Sequence, residues 1–68
     1  MLFYIEAKVS AKIAGIPGAF QEVYVKLVHG RDITEAKAKF EHHIRQAKAH
    51  TMPEKLTFEY LKLGDELL

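Results

Sequence analysis

The sequence predicts an α+β domain of order ββαβ, a three-stranded antiparallel sheet in strand order 2-1-3 with one helix packed on one face. Three observations carry that prediction. In residues 2 to 13 every second side chain is apolar, a near-unbroken alternation. A second alternating run follows a glycine-containing loop. A capped segment with apolar residues at three- and four-residue spacing then precedes a short apolar third run.

The first run puts Phe3, Ile5, Ala7, Val9, Ala11 and Ile13 on one side and Leu2, Tyr4, Glu6, Lys8, Ser10 and Lys12 on the other. A strand sends successive side chains to opposite faces, so one face is core and the other mostly wet. Such a long alternation marks the central strand. Ala14 to Ala19 forms the hairpin loop, in which Pro17 suits the second position of a type II turn and Gly18 the third, where φ is positive. No Gly-Lys-Ser/Thr follows these glycines, so they do not read as a phosphate cradle.

The second strand, about Phe20 to His29, is read with Val23, Val25 and Leu27 inward and Glu22, Tyr24, Lys26 and Val28 outward. Placing Val9 against Val23 and Ile5 against Leu27 pairs Ser10 with Glu22, Lys8 with Tyr24, Glu6 with Lys26 and Tyr4 with Val28. No like charges meet in that register, whereas a shift by two residues sets Lys8 against Lys26.

Asp32 followed by Glu35 reads as a variant of the capping box, starting a helix. Ile33, Ala36, Phe40, Ile44 and Ala47 form its apolar stripe, with Lys37, Glu41, Arg45 and Lys48 along one flank. Pro53 restricts Met52, so the helix is expected to stop near His50 or Thr51. Leu56 to Leu63 reads as the third strand, and its facing stays open. Phe58 and Tyr60 point inward with Thr57 and Glu59 outward, or Leu61 and Leu63 are buried, and a bulge permits some of both. A right-handed crossover places this strand on the free edge of the first. Leu67 and Leu68, at the end of the tail, need a partner surface or fray.

Sixty-eight residues make one small domain, which buries only about 60% of the surface its unfolded chain exposes. The chain has no cysteine, which removes disulfides, thiol catalysis and thiolate metal sites. Self-association is the expected supplement to so small a core. Ten Lys and Arg against nine Asp and Glu leave +1, too little for polyanion binding by bulk charge. No apolar run approaches the roughly 20 residues that cross a bilayer, and the N-terminus does not read as a signal peptide. The expectation is a soluble cytoplasmic protein, of the size common among phage and other accessory proteins.

One helix on three strands leaves a sheet face uncovered, and function is sought there. Leu2, Tyr4, Tyr24, Val28 and Leu61 form the candidate self- or partner interface. Lys8, Lys12 and Lys26 around them, with Lys37, Arg45 and Lys48 on the helix, are the candidate contacts for a nucleic acid. Scattered surface aromatics and a solvated helix flank are the plainer reading of the same residues. His42 and His43 point about 100° apart on a helix, and His43 and His50 sit roughly 10 Å apart along it, so no metal site is expected. Ser10 is the only serine and has no glycine elbow around it. The expected function is therefore a non-enzymatic interaction module without cofactor, a homodimer that binds a protein partner; the alternative is single-stranded RNA binding on the tyrosines and lysines.

Overall fold

A computed structural model describes residues 1–51 and 53–65. Met52, Leu67 and Leu68, singled out in the sequence, lie outside the described residues. The elements are β1 (Leu2–Lys12), β2 (Phe20–His29), α1 (Ile33–Lys48), a short 3-10 turn (Ala49–Thr51) and β3 (Lys55–Asp65). The sheet is antiparallel with order β2-β1-β3, so the α+β fold and its strand order are as the sequence predicts.

Alternation in β1 becomes strict alternation in burial. Phe3, Ile5, Ala7, Val9 and Ala11 are buried, and all but Ala11 form one core cluster with Ala36, Phe40 and Ile44 of α1. Phe40 is the largest of the fully buried side chains. Its ring meets Phe58 edge-on at 6.3 Å between centroids and Tyr60 at 6.2 Å, an arrangement aromatic quadrupoles favour. These contacts settle the facing of β3, with Phe58 and Tyr60 packed against the core and Thr57 and Glu59 exposed. A bulge opposite Glu6 and Ala7 inserts Leu61, because Glu6 pairs with Lys62 and Ala7 with Tyr60. Leu61 and Leu63 are both exposed, and β3 continues to Asp65 rather than ending at Leu63.

The register of β1 with β2 differs from the expectation by one residue. Tyr4 lies opposite Leu27, Glu6 opposite Val25 and Lys8 opposite Val23. A one-residue slip moves every side chain of a strand to the other face. Val23, Val25 and Leu27, expected inward, are therefore on the uncovered face. Tyr24 and Val28, expected outward, pack against the core beneath α1. Glu22 and Lys26 share their side of the strand, beside Val9 and Ile5. The physical gain is a tie between helix and sheet: Lys48 lies 2.7 Å from Glu22, which also accepts a 2.7 Å hydrogen bond from the Tyr24 hydroxyl.

The hydrogen-bonded turn of the β1–β2 loop also sits earlier than Pro17. Ile16 donates to the carbonyl of Ile13, with Gly15 at φ 82°, and Gly18 takes φ 82° as expected. At the other end of the hairpin, Gly30 donates to Met1 at 2.9 Å and its carbonyl accepts from the Met1 ammonium at 3.1 Å. Asp32 caps α1 by accepting from the Glu35 N–H at 2.8 Å. Ala47, assigned to the apolar stripe, is exposed, so the buried stripe ends at Ile44. The helical path itself runs on through the 3-10 turn to Thr51.

Candidate interaction surface

Two surfaces are left by this packing. The first is the sheet face opposite α1. Along β1 it carries Leu2, Tyr4, Glu6, Lys8 and Ser10, all half-buried, and along β2 it carries the exposed aliphatic row Val23, Val25 and Leu27. Along β3 it carries Thr57 and Glu59, with Lys8 and Glu59 joined by a 3.3 Å ion pair. The Tyr4 hydroxyl donates to Glu6 at 2.9 Å, and this bond to a carboxylate raises the phenol's pKa. The centre of the face is thus polar, and its apolar strip lies along β2.

The second surface is a groove of about 590 Å³ between β2 and α1, lined among others by Lys26, Val28, His29, Lys39, His42 and His43. Lys39 also reaches Glu35 at 3.6 Å, and Glu35 is held by Arg31 through its backbone N–H at 3.0 Å and its guanidinium at 2.8 Å. These bonds, the backbone one first, keep the Glu35 carboxyl below the usual carboxylate range.

The structure separates the residues singled out in the sequence. Leu2 and Tyr4 are on the uncovered face, and Leu61 is exposed at the bulge. Tyr24 and Val28 belong to the helix side, so Tyr4 and Tyr24 do not share a platform. Among the proposed nucleic-acid contacts, Lys8 pairs with Glu59, and Lys12 and Lys26 have no ion-pair partner among the described residues. The three helix cations cover aromatic rims of the core. Lys37 lies 4.6 Å from the centroid of Tyr60, Arg45 5.1 Å from Phe58 and Lys48 5.6 Å from Tyr24. Arg45 also pairs with Glu41 at 3.4 Å, and Glu41 accepts a hydrogen bond from the Tyr60 hydroxyl. Burial first, and Glu41 second, raises the Tyr60 pKa. Lys48 and Tyr24 together hold the Glu22 carboxyl below its usual range, and the same contacts raise Lys48.

Sequence reasoning missed the aliphatic row of β2 as a surface and the cationic groove beside it. A signal for the first was present, since β2 carries apolar residues on both faces. The groove joins residues from two elements and has no local signature. His42 and His43 both line it, but among the described residues no three His, Cys, Asp or Glu are grouped as a metal ion requires. No helix among the described residues is long and apolar enough to cross a membrane. Compared with known proteins, the chain matches no protein-family model, no curated protein and no solved structure.

Proposed function

We propose that this chain is a non-catalytic interaction module of the cytoplasm that self-associates as a homodimer through the aliphatic row of its uncovered sheet face and binds a protein partner with the surface that remains. One observation carries the reading. Val23, Val25 and Leu27 are 57%, 53% and 55% exposed, side by side on one face of one strand. Fully covering a Val or Leu contributes about 1.5–3 kcal/mol, so even partial cover of this row stabilises a domain whose own core holds only eight buried hydrophobic residues among those described. The cationic groove suits an acidic segment of the partner.

Light scattering during size-exclusion chromatography at about 50 µM, in the range of ordinary interface affinities, tests the first half. The expected mass is about twice the 7.8 kDa of one chain. Val25→Lys should return it to one chain without loss of helix or sheet signal. A 7.8 kDa species of the unaltered protein at that concentration overturns the reading. Single-stranded RNA binding stands second, because Tyr4 and Tyr24 lie on opposite faces. A steep fall of oligonucleotide affinity with salt, lost in Lys12→Gln with Lys26→Gln, would reverse that order.

A further inference from the structure

The position of the aliphatic row within the sheet selects the way two copies meet. β2 is an edge strand, and on the uncovered face its row Val23, Val25 and Leu27 borders the outside. Inward from it lie Glu6 and Lys8 of β1, and beyond them Glu59 and Lys62 of β3. Stacking two such faces would bury those charges along with the valines, and a buried ion pair is seldom repaid. Joining the two β2 edges instead sets aliphatic row beside aliphatic row and leaves the charges in water. It also satisfies the backbone N–H and C=O groups of a ten-residue free edge, which otherwise invites uncontrolled pairing.

We infer that the dimer is a continuous six-stranded sheet in which β2 pairs antiparallel with β2 of a second copy, about a two-fold axis at Tyr24. With both helices on one face, the registers open to such an axis differ by what they oppose. Centred on Tyr24, Glu22 meets Lys26 of the other copy twice, Val23 meets Val25 twice, Phe20 meets Val28 twice and Tyr24 meets itself. Centring on Lys26 sets two lysines together, and centring on Val23 or Val25 leaves Glu22 without a cation opposite. This inference rests on the self-association proposed above and fixes its geometry.

The cysteine-free chain makes the test direct. Single variants Val23→Cys, Tyr24→Cys, Val25→Cys and Lys26→Cys are oxidised alongside Lys8→Cys, with the mass of the unaltered protein measured in parallel. The expected result is a dimer mass and fastest crosslinking at position 24, slower and equal at 23 and 25, and none at position 26 or at position 8, which edge pairing holds more than three strand spacings, roughly 16 Å, from its counterpart. Lys26→Glu should weaken the dimer about tenfold by turning two attractive pairs repulsive, and Lys26→Gln, which removes the attraction without adding repulsion, should weaken it less, which reads the register without a cysteine. A dimer that crosslinks at position 8 overturns edge pairing while leaving self-association intact. A dimer with its maximum at position 25, or indifferent to Lys26→Glu, overturns the Tyr24 register. A monomeric protein overturns both.

Discussion

Gly30 is the position at which a single methyl group has the clearest consequence. It is buried where β2 turns into α1, and a Cβ added there would lie 2.9 Å from the Ala36 nitrogen, 3.1 Å from the Asp32 oxygen and 3.2 Å from the Ala36 Cα. All three are backbone atoms, and the first two form the opening hydrogen bond of α1, at 3.1 Å. Gly30 cannot swing away easily, because both its backbone groups are bonded to Met1. Where space is open and φ is ordinary, Gly→Ala stabilises by about 0.4–1 kcal/mol through the unfolded chain. Overpacking costs about 1–3 kcal/mol, and against immovable backbone the upper half of that range applies. Gly30→Ala should therefore be net destabilising by about 1–2 kcal/mol, lowering the melting temperature by roughly 5–15 °C for a domain of this size. Thermal and urea unfolding followed by circular dichroism measure it, with protein concentration held fixed. A melting temperature equal to or above that of the unaltered protein refutes the steric argument, since the sign itself decides. Gly18→Ala is the companion: nothing lies within 4 Å of its added Cβ, so only the left-handed φ of 82° opposes it, at about 1–2 kcal/mol.

Other outcomes follow from the core and its charged rims. Phe40→Ala should cost about 3–5 kcal/mol, leaving the chain largely unfolded at 37 °C by circular dichroism. Glu22 and Glu35 both ionise more readily when folded, so their contribution is complete above about pH 4.5 and is lost as pH falls below it; Glu22→Gln with Glu35→Gln should flatten that acid limb in urea titrations. Tyr60 has the opposite sign. Its phenol is held neutral in the folded state, so stability is lost as pH rises above about 10, and in an ultraviolet titration Glu41→Gln should move the late-ionising step to lower pH. Asp32→Ala removes the cap of α1 and should cost about 1 kcal/mol by urea denaturation.

Much of this architecture was legible because β1 has one apolar and one polar side, and a central strand with that contrast leaves few ways to close the sheet. The facing of β2 was not. Val23, Val25 and Leu27 compete with Phe20, Tyr24 and Val28, and avoiding like charges could not choose between them, because the observed pairs Tyr4 with Leu27, Glu6 with Val25 and Lys8 with Val23 avoid them equally. What the observed facing brings together is the packing of Tyr24 and Val28 on the core and a contact 26 residues apart, Lys48 with Glu22, which no local pattern contains. The helix cations failed to read correctly for a similar reason. Lys37 and Arg45 have the spacing of a solvated flank, and only the arrival of Tyr60 and Phe58 beneath them makes them lids over aromatic rings.

The strand that is first in sequence is flanked on both sides, by the strand that follows it and by the one that comes last. Phe3 pairs with Val28 on one side and with Asp65 on the other. During synthesis the hairpin and α1 therefore emerge with one side of β1 still open, and Phe40 waits for Phe58 and Tyr60 to complete its surroundings. For that interval both β1 and β2 offer an unsatisfied edge, each with aliphatic side chains beside it. The chain then offers more unpaired edge than the finished domain does, and the pairing of β1 with β3 spans most of the sequence, the kind of contact that slows folding. Expression yield should consequently depend on how soon β3 is delivered, more than on the stability of the fold it completes.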